Sequence, residues 1–92
     1  MRLNKKIVFS DTIFAQEVDG EMVLLDMESE NYFGLDSTGS AIWNAISKKQ
    51  ILQDVFDTLL QEYDVKPDIL ERDLLNFINE LETNKLIKVE EL

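Results

Sequence analysis

Cysteine and histidine are both missing from this chain of 92 residues. Without cysteine there is no disulfide, no thiolate metal site and no thiol nucleophile, and without histidine the commonest general base and the usual zinc ligand are gone as well. Glycine occurs three times and proline once, which leaves no phosphate-cradling loop. No apolar run approaches the roughly 20 residues of a membrane span. Arg2, Lys5 and Lys6 near the start are not followed by an apolar stretch of signal-peptide length. Cations are scarce throughout: 9 lysines and arginines face 19 acids, a formal net charge of -10. Such a charge repels phosphate backbones and anionic headgroups, so neither nucleic acid nor membrane is an expected partner. These absences point to a soluble cytoplasmic protein without metal or cofactor. Its core has to be built from apolar side chains alone, and a hydrophobic fraction of 45% suffices for one domain spanning residues 1–92.

The first third of the chain alternates. After the apolar run Ile7 to Phe9, the stretch Thr12 to Val18 places Ile13 and Ala15 on one side and Phe14, Gln16 and Val18 on the other. Asp19-Gly20 is a hairpin signal, because a two-residue turn of the type that fits twisted strands needs positive φ. The return strand, Glu21 to Met27, is apolar enough in its middle to suggest burial on both faces. A polar turn from Glu28 to Asn31 then leads into "YFGL", Tyr32 to Leu35. The pattern predicts a three-stranded antiparallel meander with the aromatic strand at one edge.

Past Leu35 the period changes to that of helices. Asp36 or Ser37 is a suitable N-cap, and Ala41, Ile42, Ala45 and Ile46 follow at helical spacing up to Lys48-Lys49. A second amphipathic stretch runs from Lys49 to Tyr63. A third begins at Pro67, whose missing N–H costs nothing in a first turn, and ends near Asn84-Lys85. Trp43, Ile46, Phe56 and Leu59 are expected in the core. "LIKVEEL" reads as an extended tail able to pair back on the sheet. A three-stranded antiparallel sheet followed by three helices is the layout of an α+β, winged helix-turn-helix-like domain.

Carboxylates are the only abundant reactive groups, and Asp54, Asp57, Glu62 and Asp64 sit on or near a solvated helix face without the spacing of a calcium loop. The serines and threonines have no base to activate them. A catalytic site is therefore not expected. Two features remain. The strand at Asn31 to Leu35 carries aromatics and a glycine where edges are usually protected by lysine, proline or a bulge; pattern alone leaves open whether another chain pairs there or whether "KIVF" or "LIKV" covers it. The third helix has an apolar arc, Leu70, Leu74, Phe77 and Leu81 with Ile69 and Asp73 on one flank and Leu75 and Ile78 on the other. This is wider than one small core needs. It forms either a groove wall or simply more core.

The stretch from Gly20 through Leu24-Leu25-Asp26, Tyr32-Phe33-Gly34-Leu35, Gly39 and Ile42-Trp43, with Asp73, Phe77-Ile78, Leu81 and Leu86-Ile87 further on, resembles the signature of the PqqD-like proteins. These are recognition elements that bind the leader segments of ribosomally made precursor peptides. Phe33 stands where a second tyrosine is common, Glu30 where the family turn has glycine, and Asp36 where it has asparagine.

The resemblance implies a non-catalytic peptide chaperone in which the leader adds as an antiparallel strand to the third strand. The leader's apolar side chains would enter a groove between that strand and the third helix. Carried over, the peptide-binding residues are Asn31, Tyr32, Phe33, Gly34 and Leu35 on the strand, and Leu70, Asp73, Leu74 and Phe77 on the helix, with Leu35 turned inward and Tyr32 at the groove's rim. The form of the motif is most similar to stand-alone proteins of lasso-peptide pathways, whose partners are a leader protease and a cyclase or other maturase. A radical S-adenosylmethionine maturase, as in pyrroloquinoline quinone synthesis, is the alternative partner. A DNA-binding winged helix shares the architecture, but its reading helix would have only Arg72 and Lys85 against Asp68, Glu71, Asp73, Glu80 and Glu82.

Overall fold

The computed structural model describes residues 3–92; Arg2, one of the three early cations, lies outside them. Five strands and three helices follow one another as β1 (Lys5–Phe9), β2 (Ile13–Val18), β3 (Glu21–Asp26), β4 (Asn31–Gly34), α1 (Ser37–Lys48), α2 (Leu52–Glu62), α3 (Pro67–Thr83) and β5 (Ile87–Glu91). The strands form two antiparallel sheets, one of three strands in the order β2-β3-β4 and one of two, β1-β5.

The hairpin between β2 and β3 forms as its turn residues require, with φ of 53° at Asp19 and 84° at Gly20. The second turn stays tight even with glutamate in place of glycine: Glu30 takes a φ of 63°, and its amide donates to the Asp26 carbonyl at 2.7 Å. Asp26 organises the rest of that corner. Its carboxylate accepts from Thr12 Oγ1 at 2.9 Å, from the Glu28 amide at 3.1 Å and from Ser29 Oγ at 2.9 Å.

Asp36 caps α1, accepting from the Gly39 amide at 2.7 Å. The end of α3 is closed by Lys85 at φ 62°, with Leu86 N–H donating to Leu81 at 2.9 Å and Lys85 N–H to Glu82 at 3.0 Å. This is the six-to-one and five-to-two bond pair of a Schellman ending, and Leu81 and Leu86, the outer pair, are both buried. It aims the chain out of α3 directly into β5.

Three expectations change. The tail does not join the large sheet: β5 pairs with β1 over Lys5↔Glu91 to Phe9↔Ile87. The second helix starts at Leu52, not Lys49, because Ile7 N–H donates to the Gln50 carbonyl at 2.8 Å and Lys6 bridges Ile51, so tertiary pairing holds residues 49–51 extended. β3 is buried on one face only. Met22 and Leu24 turn toward the helices, whereas Val23 and Leu25 are half-buried on the outer face.

The core lies between the inner face of the large sheet, the three helices and the small sheet. Ile7, Leu24, Ile46, Leu52, Val55, Leu74 and Leu86 are its fully enclosed members. Trp43 is buried too, meeting Phe9 edge to face with ring centroids 5.2 Å apart. Ile46 and Leu59 are buried, and Phe56 packs half-buried against the core.

Candidate functional site

Among the described residues β4 has a strand partner on one side only. The strands that could have covered its free edge, β1 and β5, are spent on each other. Register then decides which backbone groups face outward. Leu35 N–H donates to the Met22 carbonyl at 2.9 Å, so with Val23↔Gly34, Leu24↔Phe33 and Leu25↔Tyr32 as partners, the groups of Leu35, Phe33 and Asn31 point toward β3. By the alternation of antiparallel ladders, the N–H and C=O of Tyr32 and Gly34 point to the open edge.

The side chains alternate in the other sense. Phe33 and Leu35 are half-buried against the core, and Tyr32 stands on the outer face of the sheet, 71% exposed. There it lines up across the strands with Leu25 and Phe14. No intramolecular neighbour explains Gly34: a Cβ built on it would meet nothing within 4 Å, and its φ is not positive. Glycine within a strand commonly marks the close approach of another backbone.

At the end of β4 the ladder is pried open by a side chain. The Met22 amide donates to Ser40 Oγ at 2.8 Å, and that hydroxyl donates to the Leu35 carbonyl at 3.3 Å, replacing the direct bond the strand pair would make. Ser40 is the one buried polar residue among the described residues. It fastens the start of α1 to the sheet, and its neighbour Gly39 lets α3 come close. A Cβ on Gly39 would sit 3.3 Å from Phe77 Cε1 and 3.5 Å from Leu35 Cβ.

This convergence leaves a cleft of about 290 Å³ between the end of β4, the first turn of α1 and α3. Gly34, Leu35 and Phe77 line it, with Asp36, Asp73 and Glu80 supplying charge of one sign; among the described residues no lysine or arginine lines it. A second cleft, of about 500 Å³, opens between the start of α1, the end of α2 and the start of α3. Thr38, Ile42 and Asp73 belong to the walls of both. A smaller cleft beside β2, lined among others by Ile13, Ala15 and Trp43, shares no residue with either.

Of the residues expected on the helix wall, Phe77 and Asp73 line the first cleft, and Leu70 lines the second. Leu74 is fully enclosed and lines neither. Tyr32 belongs to the outer face and not to the cleft rim. Asp73 is half-buried, and its Oδ1 is held loosely by Arg72 at 3.4 Å. Sequence reasoning missed Asn76 and Glu80 on α3 and Asp36, Thr38, Gly39 and Ile42 around the start of α1. The helical ones had a signal, since Asp73, Asn76, Phe77 and Glu80 are spaced by three, four and seven, one stripe of α3.

Among the described residues there is no cluster of acids that could hold a metal ion, and no helix is long and apolar enough to cross a membrane. The arrangement is that of a small α+β domain with an unpaired strand edge above an acidic, apolar-floored cleft.

The chain belongs to the PqqD family: the model described as coenzyme PQQ synthesis protein D matches residues 21–87. No curated protein matches it. Among solved structures it is similar to TbiB1 in complex with the TbiA(beta) leader peptide, with 33% identity, a TM-score of 0.81 and coverage of 88% of this chain and 94% of that one. It is also similar to lasso peptide synthetase B1 complexed with the leader peptide, with 28% identity, a TM-score of 0.79 and coverage of 90% and 98%.

Proposed function

We propose that this protein binds the leader segment of a ribosomally synthesised precursor peptide and presents it to separate enzymes, a leader protease and a cyclase of the lasso-peptide type, without doing chemistry itself. The observation that carries the reading is the open edge of β4, where Tyr32 and Gly34 offer two donors and two acceptors beside the cleft. An extended peptide laid antiparallel on that edge satisfies them, and backbone bonding of this kind gives affinity with little demand on sequence. Specificity comes from side chains entering the cleft over Leu35 and Phe77, with Asp36, Asp73 or Glu80 placed to take a lysine or arginine.

The two solved structures support this reading, since both are leader-peptide complexes and both cover nearly the whole chain. Their descriptions favour the lasso reading over a pyrroloquinoline quinone pathway. The absence of histidine and cysteine supports a role without catalysis.

A titration with the labelled TbiA(beta) leader peptide, and with the leaders of other lasso-type precursors, tests it. Binding at about a micromolar dissociation constant or tighter is expected, with duplex DNA giving none. Gly34→Pro removes a donor facing the open edge and none facing β3, a place where edge strands tolerate proline. It is expected to abolish leader binding while leaving the fold intact by circular dichroism. A leader N-methylated at the paired amides should fail in the same way against the unaltered protein. Undiminished binding in both experiments excludes strand addition.

A further inference from the structure

The large sheet has two edges, and leader binding uses one of them. We propose that the other, β2, pairs with β2 of a second copy of this chain. The pairing is antiparallel about a two-fold axis at Gln16, and it joins two three-stranded sheets into one continuous sheet with both β4 edges left free at its ends.

β2 is as open as β4. It pairs with β3 from Ile13↔Asp26 to Val18↔Glu21 without a bulge, and with no other strand among the described residues. The Met27 amide donates to the Thr12 carbonyl at 2.9 Å. By alternation Phe14, Gln16 and Val18 also turn their backbone groups toward β3, and Ile13, Ala15 and Glu17 turn theirs outward. Ile13 N–H donates to the Ser10 carbonyl at 3.4 Å, but the N–H and C=O of Ala15 and Glu17 have no partner among the described residues. No lysine or proline, the usual guards of an edge, lies in Ile13–Val18.

Self-complementarity points to a copy of the same chain. With Gln16 on the axis, Ala15 of each copy faces Glu17 of the other, and these two pairs exchange four backbone hydrogen bonds. On the outer face Phe14, 54% exposed, is laid beside Val18 of the other copy, 47% exposed. One symmetry operation thus covers both large apolar side chains that the outer face of β2 leaves in water. Within the paired strands no acid stands directly opposite an acid.

Charge selects this edge over β4. The cleft beside β2, of about 250 Å³, is lined by Ile13, Ala15, Trp43 and Ser47 and by no charged residue among those described. The cleft beside β4 is rimmed by Asp36, Asp73 and Glu80. A second copy, itself of net charge -10, therefore meets like charge at the β4 cleft and none at the β2 cleft. A contact built on one strand edge falls in the class of weak interfaces, under about 1,200 Å², and the two bodies repel as wholes. Salt strengthens the pairing, because the screening length falls from about 30 Å at about 10 mM to about 3 Å at about 1 M.

Sedimentation equilibrium of the full chain tests the pairing without any leader. The mass is expected to rise from 10.7 kDa toward twice that value as concentration enters the millimolar range, and to rise more steeply at about 1 M than at about 10 mM sodium chloride. Ala15→Pro removes an N–H facing the open edge and none facing β3. It should stay monomeric while binding the TbiA(beta) leader as the wild type does. Gln16→Cys gives this cysteine-free chain a thiol on the axis, in a non-hydrogen-bonded pair whose Cα atoms lie about 4.5 Å apart, within the span of a disulfide. Under mild oxidation it should cross-link several-fold faster than Gln61→Cys, which lies on the exposed side of α2. A chain that is monomeric at every concentration and salt overturns the proposal, and so does a dimer that Ala15→Pro leaves intact. If Ala15→Pro fails to fold, equal cross-linking of the two cysteine variants overturns it instead. Leader binding stands or falls by its own titration.

Discussion

Asp26 shows how a single residue of the recognisable motif serves the site without touching it. Its carboxylate ties the β3–β4 corner to Thr12 at the start of β2, and so fixes where β4 begins. Partial desolvation is the largest single influence on its pKa and acts upward, but the hydrogen bonds from Ser29, Thr12 and Glu28 together outweigh it and hold the group below the ordinary aspartate value. Folding thus favours the charged form. The stabilisation is complete above the unfolded pKa of about 3.9 and is lost as pH falls through the lower folded value. Asp26→Asn should accordingly have a lower urea midpoint than the wild type at about pH 5, and the gap should narrow as pH falls below the ordinary aspartate value. A gap constant over that range would mean that the corner does not depend on the ionised carboxylate.

At the scale of elements, the site exists because the first turn of α1 is both pinned to the sheet and approached by α3. Ser40 does the first and Gly39 permits the second. Removing the hydroxyl leaves the Met22 amide and the Leu35 carbonyl without their bridge in a buried place, and an unsatisfied buried group costs about 1–3 kcal/mol. Ser40→Ala is expected to lose that much in chemical denaturation. A loss well under 1 kcal/mol would show that the strand pair closes on itself once the hydroxyl is gone.

The whole molecule has a charge problem to solve. A net charge of -10 is spread over a body of 35 × 31 × 19 Å, and at about 10 mM salt the screening length of about 30 Å spans that body. Acid repels acid across its full width. At about 100 mM salt the length falls to about 10 Å and only near neighbours still interact. Among the described residues Lys5 meets Glu91 at 3.4 Å and Arg72 meets its neighbour Asp73. Both are solvent-exposed pairs of small worth. The melting temperature should rise by a few degrees between about 10 and about 100 mM sodium chloride, as scanning calorimetry can record. A fall would place the balance with those ion pairs instead. The same acidic field is consistent with a cationic peptide as ligand and not with nucleic acid.

Local chemistry alone determined a good deal of this protein. Asp19-Gly20 dictated a hairpin because the pair tolerates positive φ, Asp36 and Pro67 marked helix starts through the needs of the first turn, and the spacing of apolar residues gave three helices and the core members Trp43, Ile46 and Leu59. The edge strand at Asn31 to Leu35 was legible as a strand, and its motif as that of a family. Whether its edge was open was not, because strand pairing joins residues far apart in the chain, and only the tertiary structure shows Lys5–Phe9 closing with Ile87–Glu91 and leaving β4 uncovered. The same distance effect hid the extended residues 49–51, held by Ile7, and misplaced Leu74, which helical spacing puts on the same stripe as Phe77. Periodicity gives the angle of a side chain about its own helix, but what stands opposite that angle, core for Leu74 and an open cleft for Phe77, is settled by the neighbouring elements.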